Sequence, residues 1–142
     1  LCLITPSSVM IKRDVFERVG LFDTNLCVCE DYDLWLRITP YFSVGLVDTP
    51  LITKYGGHDD QLSRKYLGMD KYRIYALEKI VRNTDLSPVQ RQAVLQELCK
   101  KCTIYGMGCQ KHGKIQESRV YLQKNQYYVA QEKELQYNSN LL

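Results

Sequence analysis

The chain has 142 residues, of which 45% are hydrophobic and 25% are charged. This composition is typical of one globular domain with a moderate core and excludes an intrinsically disordered chain. The formal net charge of +3 is small and the Lys and Arg residues form no run, so the sequence gives no support for nucleic-acid binding. No apolar run approaches the roughly 18 residues of a membrane-spanning helix, although a weakly basic surface is compatible with peripheral association with an anionic membrane.

The first part of the chain predicts short strands and helices in alternation. Residues 9–11 form an apolar run typical of a strand. Residues 14–19 predict a short helix that ends at Gly20, because glycine readily adopts the left-handed conformation found after helices. A loop over 21–29 then leads to the next helix.

A helix over 31–38 carries a carboxylate where its pattern calls for an apolar side chain. Asp31, Leu34, Trp35 and Ile38 share one face that should point inward, and an inward carboxylate has a desolvation cost that proteins tolerate where the charge is used. Trp35 is interpreted as a core residue. Alternatively, the acidic residues only complement the helix dipole. Spacing alone does not separate these interpretations.

The same segment contains further acidic and basic residues, which the sequence places on the surface. Asp33 and Arg37 have the i, i+4 spacing of a solvent-facing pair. Such an exposed pair would add little stability.

Beyond this helix the pattern again favours strands. Pro40 cannot continue the helix, and residues 43–47 and 51–55 are β-type runs separated by an Asp-Thr-Pro turn. Two glycines then lead into a loop that contains His58, and residues 70–82 predict another helix. On composition alone His58 would be a surface loop residue.

A helical hairpin follows a boundary near residue 83. Ser87 is the expected N-cap and Pro88 the first residue of a long helix that reaches about residue 110. A turn at 112–114 precedes a second helix over 115–135. The hairpin faintly resembles one tetratricopeptide-like unit, but one copy is not a repeat protein. We expect it to pack within the chain, with packing against a partner as the alternative.

Six cysteines without a regular disulfide spacing favour an intracellular protein. Four residues have zinc-ligand types and short spacings: Cys99, Cys102, Cys109 and His112. A continuous helix would separate Cys99 and Cys109 by about 15 Å at a rise of ~1.5 Å per residue, which one tetrahedral ion cannot bridge. The preferred interpretation is therefore that these are small buried residues of a helix seam, with zinc as the alternative.

Three motifs in order, at residues 7–23, 30–37 and 57–63, closely resemble the C-terminal half of family 2 glycosyltransferases. The resemblance covers roughly residues 5–82. It implies an α/β fold, namely the C-terminal, acceptor-side half of a Rossmann-like GT-A domain (residues 1–83), followed by the helical hairpin (residues 84–142). The nucleotide-binding half that ends in an Asp-x-Asp motif is not in the sequence, because the one match, at residues 31–33, sits within the Glu-Asp helix start. The chain is therefore expected to be a fragment that is inactive alone.

The resemblance also implies an activity and residue roles. A sugar would pass with inversion from a nucleotide-sugar donor to a hydroxyl of a glycan or lipid-linked acceptor, in surface polysaccharide or glycolipid synthesis at the cytoplasmic face of the membrane. Asp31 would be the general base and Glu30 would orient the acceptor or the base. Gly20 and Asp23 would border the acceptor. His58 would be a ligand of Mg²⁺ or Mn²⁺, or a diphosphate contact, which reverses the composition-based interpretation of this residue.

A non-catalytic function is the alternative. In this interpretation the chain is a helical binding or adaptor module derived from a degenerate transferase. It predicts an exposed apolar face on the hairpin and acidic residues that only cap a helix.

Overall fold

The computed structural model describes residues 4–53, 55, 66, 68–83 and 85–139. These residues form a 3₁₀ turn and then five α-helices in chain order: α1 (Arg13–Val19), α2 (Glu30–Ile38), α3 (Asp70–Val81), α4 (Pro88–Lys111) and α5 (Ile115–Ser139). The chain divides into two compact units, Leu1–Met69 and Asp70–Leu142, which we call the N-terminal and the C-terminal unit. The division falls earlier than residue 83, and α3 belongs with the hairpin.

The predicted α/β fold is wrong for the described part of the chain, where no residue forms a β-strand. Residues 9–11 and 43–53 have no regular secondary structure, although their sequences are rich in β-type residues. A strand requires a second segment whose backbone completes its hydrogen bonds. The described residues supply none, and the apolar side chains of the second segment are largely exposed: Val44, Leu46, Val47, Leu51 and Ile52.

The N-terminal unit has a small core between α1 and α2. Val15 of α1 packs with three residues of α2, namely Leu34, Trp35 and Ile38. This confirms the predicted inward face of α2 for its apolar members, and the Trp35 indole donates a hydrogen bond to the Ile4 carbonyl oxygen at 3.0 Å. Residues from the preceding and following segments complete the core without forming strands: Ile4, Val9, Ile11 and Phe42.

The C-terminal unit is a three-helix arrangement in which α4 packs against both α3 and α5. The predicted helices over 70–82, 88–110 and 115–135 are confirmed, and α5 continues to Ser139. The predicted N-cap is also confirmed, because Ser87 and Gln90 exchange side chain to backbone hydrogen bonds in a capping box. The apolar centre contains fully buried side chains from α3 and α4: Ile74, Leu77, Leu95, Leu98 and Cys102.

Polar contacts fix how α3 lies on the hairpin. The Glu78 carboxylate accepts hydrogen bonds from Lys124 at 2.7 Å and from the Tyr128 hydroxyl at 2.8 Å. At the start of α3, Asp70 pairs with Lys101 at 3.1 Å. Burial opposes ionisation of Asp70, but hydrogen bonds from Arg73 and Lys101 outweigh it and lower its pKa. The hairpin therefore packs within the chain, against α3.

A glycine lets α4 and α5 approach closely. A Cβ atom at Gly106 would lie 2.9 Å from two side-chain atoms of Leu122, whereas a Cβ at Gly108 would have no heavy atom within 4 Å. Two glycines in the same helix therefore differ only in what surrounds them. Gly106 is required by packing and Gly108 is not.

We expect Gly108→Ala to stabilise the C-terminal unit by about 0.5–1 kcal/mol, because alanine loses less backbone entropy in a helix. Gly106→Ala should be less stable than this control by about 1–3 kcal/mol, since Leu122 must shift to admit the methyl group. Urea unfolding followed by far-ultraviolet circular dichroism measures both changes. Equal stabilisation by the two substitutions would show that Leu122 can shift to admit the methyl group without loss of stability.

Candidate functional site

The acidic pair begins helix α2 directly after a left-handed turn. Cys29, the N-cap residue, has φ 61° and ψ 20°, and its side chain makes no capping hydrogen bond. Its thiol is buried and lies 3.8 Å from the Met69 carbonyl oxygen. A positive φ is uncommon for a residue other than glycine, and such conformations are frequent at functional sites. The turn directs the chain so that Glu30 and Asp31 occupy the first turn of α2.

Asp31 is half-buried and does not lie fully in the core as its spacing predicts. Its Oδ1 accepts a hydrogen bond from the backbone N–H of Tyr32 at 2.7 Å. The carboxylate is therefore at the edge of the apolar face formed by Leu34, Trp35 and Ile38, near the positive end of the helix dipole. This position suits both a helix-stabilising acid and a base that a hydroxyl group can reach.

The prediction of a solvent-facing Asp33–Arg37 pair is wrong. Asp33 is only 1% exposed, and its Oδ2 accepts a hydrogen bond from Arg37 Nε at 2.9 Å. The i, i+4 spacing of an acid and an arginine is the usual sign of a surface pair. Here the guanidinium also has partners on another element, which spacing along α2 cannot reveal.

Hydrogen bonds from Arg37 link the end of helix α1 to helix α2. Its guanidinium donates hydrogen bonds to the carbonyl oxygens of Val19 and Leu21, the latter at 2.8 Å. These carbonyls lie where a helix ends and lack partners within the helix. A cation is favourable at this end of the dipole. Arg37 therefore joins the buried Asp33 to the start of the 20–29 loop.

Gly20 and Asp23, the predicted acceptor-bordering residues, lie in this loop. Gly20 has φ 78° and its N–H donates to the Phe16 carbonyl oxygen at 2.8 Å, which confirms that it ends α1. Asp23 Oδ1 accepts hydrogen bonds from the backbone and side-chain nitrogens of Asn25, both at 3.0 Å. Both residues therefore shape the loop, and their predicted contact with an acceptor stays a prediction.

The predicted metal ligand, His58, lies outside the described residues. The position of His58 relative to Asp31 is thus untested, and no described segment forms a β-sheet. Within the described ranges, no cluster of three or more His, Cys, Asp or Glu side chains is placed to hold a metal ion.

The cysteines of α4 are packed as helix-seam residues. The helix is continuous from Pro88 to Lys111, as predicted, so Cys99 and Cys109 are about 15 Å apart at a rise of ~1.5 Å per residue. Burial raises the pKa of the Cys99 thiol, and burial followed by the charge of Glu78 raises the pKa of Cys102 to about 12. Protonated thiols are poor zinc ligands. The structure favours the packing interpretation.

Comparisons with protein-family models, with curated proteins and with solved structures return no match for this chain. The resemblance to family 2 glycosyltransferases therefore depends on the three sequence motifs alone. In the described part of the chain, no helix combines the length and the apolar character needed to cross a membrane.

Replacing Arg37 tests the contact on which this site depends. Arg37→Met should destabilise the N-terminal unit by about 3–5 kcal/mol, because the Asp33 carboxylate would stay buried without its cation. Arg13→Met, at an exposed position of α1, is the matched control and should change stability by about 0.5 kcal/mol or less. The single tryptophan, Trp35, lies in this core, so urea unfolding followed by its fluorescence reports this unit. A loss no larger than that of the control would contradict the role of Arg37.

Proposed function

We propose that the part of the chain covered by the resemblance, roughly residues 5–82, provides the acceptor-side catalytic segment of a glycosyltransferase that uses a nucleotide-sugar donor and inverts the anomeric centre. The observation that carries this proposal is the placement of Asp31: a half-buried carboxylate in the first turn of α2, immediately after the strained turn at Cys29. The resemblance of the three motifs suggests the reaction, and the incomplete burial of Asp31 supports its assignment as the base.

The proposed chemistry begins with an acceptor hydroxyl. The Asp31 carboxylate accepts the hydroxyl proton as the oxygen attacks the anomeric carbon of the donor. The hydrogen bond from the Tyr32 N–H fixes one carboxylate oxygen, and the helix N-terminus stabilises the negative charge. Glu30, half-buried beside it, orients the acceptor or the base. Direct displacement on the opposite side from the leaving nucleotide diphosphate gives inversion.

The loop over 20–29 is proposed as the acceptor border, with Gly20 and Asp23 as its contacts. Arg37 holds the start of this loop, and the Asp23–Asn25 hydrogen bonds hold its middle. A fixed loop helps catalysis because small displacements of a bound hydroxyl reduce the rate steeply. The acceptor class, a glycan or a lipid-linked sugar, follows from the family resemblance.

The motifs present are those of the acceptor side, and the nucleotide contacts of such enzymes lie in other sequence. We therefore expect the 142 residues alone to transfer little or no sugar. Activity would appear in a longer polypeptide that joins this segment to a donor-binding part. Charge developing on the departing diphosphate would there need a cation, for which Mg²⁺ or Mn²⁺ with His58 stays the predicted source.

In such a polypeptide, Asp31→Asn should lower kcat by about 10²-fold or more and leave the donor dissociation constant nearly unchanged, as expected for loss of a general base. Asp14→Asn is the matched control, since Asp14 is an exposed acid in the first turn of α1. Its kcat should equal that of the parent. Steady-state transfer assays and equilibrium donor binding separate the two effects. Near-normal turnover by the Asp31→Asn variant would return Asp31 to a helix-stabilising role.

A second candidate function, a helical binding module, is favoured by one observation. Apolar side chains that no described element covers lie on the hairpin, including Ile104 and Met107 of α4, which are 49% and 60% exposed. Such an exposed apolar surface is the feature that distinguishes the binding module from the enzyme. It does not exclude the transferase proposal, because Asp31 and these side chains lie in separate compact units.

A further inference from the structure

The closed end of the hairpin extends beyond the third helix of its unit. Asp70, the first residue of α3, pairs with Lys101, and α4 then continues to Lys111, about 15 Å further at a rise of ~1.5 Å per residue. We call residues 104–120 the hairpin tip. It consists of the last two turns of α4, the turn at Gly113 and the first turns of α5.

The hairpin tip is internally well packed. The Tyr105 hydroxyl donates a hydrogen bond to Glu117 at 2.9 Å, and the rings of Tyr105 and Tyr121 meet edge to face at 4.5 Å. Gly106 lets Leu122 lie directly against α4. Because these contacts tie the two helices together, side chains on the outside of the tip are held on a fixed support.

Four apolar side chains lie on the outside of the tip in spite of this packing. Ile104 is 49% exposed, Met107 60%, Ile115 46% and Val120 49%. Ile104 and Met107 are one turn apart on α4 and so lie on the same side of that helix. All four lie within the hairpin tip, so they are available to a partner that buries apolar surface.

Cationic side chains are interspersed with these apolar groups. Lys111, Lys114 and Arg119 are exposed, and the acid of the tip, Glu117, is engaged by Tyr105. The imbalance extends to the whole sequence of the C-terminal unit, since residues 70–142 contain 12 Lys and Arg against 7 Asp and Glu. Residues 1–69 contain 7 against 9. The small net charge of the whole chain is therefore the sum of a basic C-terminal unit and a slightly acidic N-terminal unit.

We propose that the hairpin tip docks on an anionic lipid bilayer, with Met107 and Ile115 entering the headgroup region and Lys111, Lys114 and Arg119 contacting lipid phosphates. Interspersed lysines and apolar side chains are the combination that binds such interfaces, because the apolar groups gain by burial and the cations by the negative surface potential. The three cationic side chains complement an anionic bilayer, whereas an apolar groove of another protein would leave them without opposite charge. The attachment is peripheral and independent of the proposed catalytic role.

Co-sedimentation of the purified 142-residue chain with vesicles tests this proposal. Binding to phosphatidylglycerol-rich vesicles should be at least about tenfold tighter than to phosphatidylcholine vesicles, and raising the salt concentration should weaken it. Equal binding to both vesicle types, or binding to neither, would overturn the proposal. The assay needs no sugar donor, so its outcome is separate from that of the transfer assays.

Matched variants locate the surface. Lys111→Glu with Lys114→Glu should weaken binding about tenfold or more, and Met107→Ser with Ile115→Ser should weaken it while leaving net charge unchanged. Lys71→Glu with Lys133→Glu changes charge equally at exposed positions outside the tip and should retain most of the binding. Circular dichroism establishes that each variant is folded.

Two results from these variants would contradict the proposal. Equal losses from the two charge-reversal pairs would indicate attraction by net charge without a docking surface. Full binding by the Met107→Ser and Ile115→Ser variant, together with displacement from vesicles by a short oligonucleotide, would indicate a general polyanion site.

Discussion

Arg37 connects three parts of the N-terminal unit, although spacing along the sequence predicts only a surface pair with Asp33. Its guanidinium neutralises a carboxylate that is almost completely buried and at the same time binds backbone carbonyls at the end of the preceding helix. Each contact alone is ordinary, but together they link helix α1, the loop after Gly20 and helix α2. An arginine suits this position because its planar fork of donors can serve a carboxylate and several carbonyls together, which a lysine ammonium cannot do with the same geometry.

In the C-terminal unit, an arginine also binds the carbonyl oxygens at the end of a helix. Arg91 of α4 donates hydrogen bonds to the carbonyl oxygens of Val81 and Asn83, the latter at 2.7 Å, just where α3 ends. In both units an arginine from a later helix donates hydrogen bonds to backbone carbonyl oxygens at the end of an earlier helix. Helix ends need partners for these carbonyls, so such an arginine fixes both the point where a helix stops and the helix against which it packs.

Local sequence predicts the helices well and the sheet badly, for one physical reason. The capping box at Ser87 and the glycine at the end of α1 act within a few residues, so spacing along the chain contains the information. A strand depends on a distant segment, and residues 43–53 show β-type composition without such a partner among the described residues. The same limit applies to Asp33, because its partner Arg37 also binds residues outside α2, which spacing along α2 does not show. The candidate site is predictable to a similar extent, since motifs identify the acidic pair but nothing marks the positive φ of Cys29.

Polar contacts within the C-terminal unit are concentrated where α3 covers the hairpin. Glu78 binds Lys124 and Tyr128, and Asp70 binds Lys101, so charges in the covered part are matched by specific partners. Beyond Lys101 the outside of the tip has exposed cations together with exposed apolar groups. Packing of the C-terminal unit explains the paired charges between α3 and the hairpin. It does not explain the exposed cations and apolar groups of the tip. A surface that is both apolar and basic gains most where low dielectric and negative charge meet, and the interface of an anionic bilayer offers both.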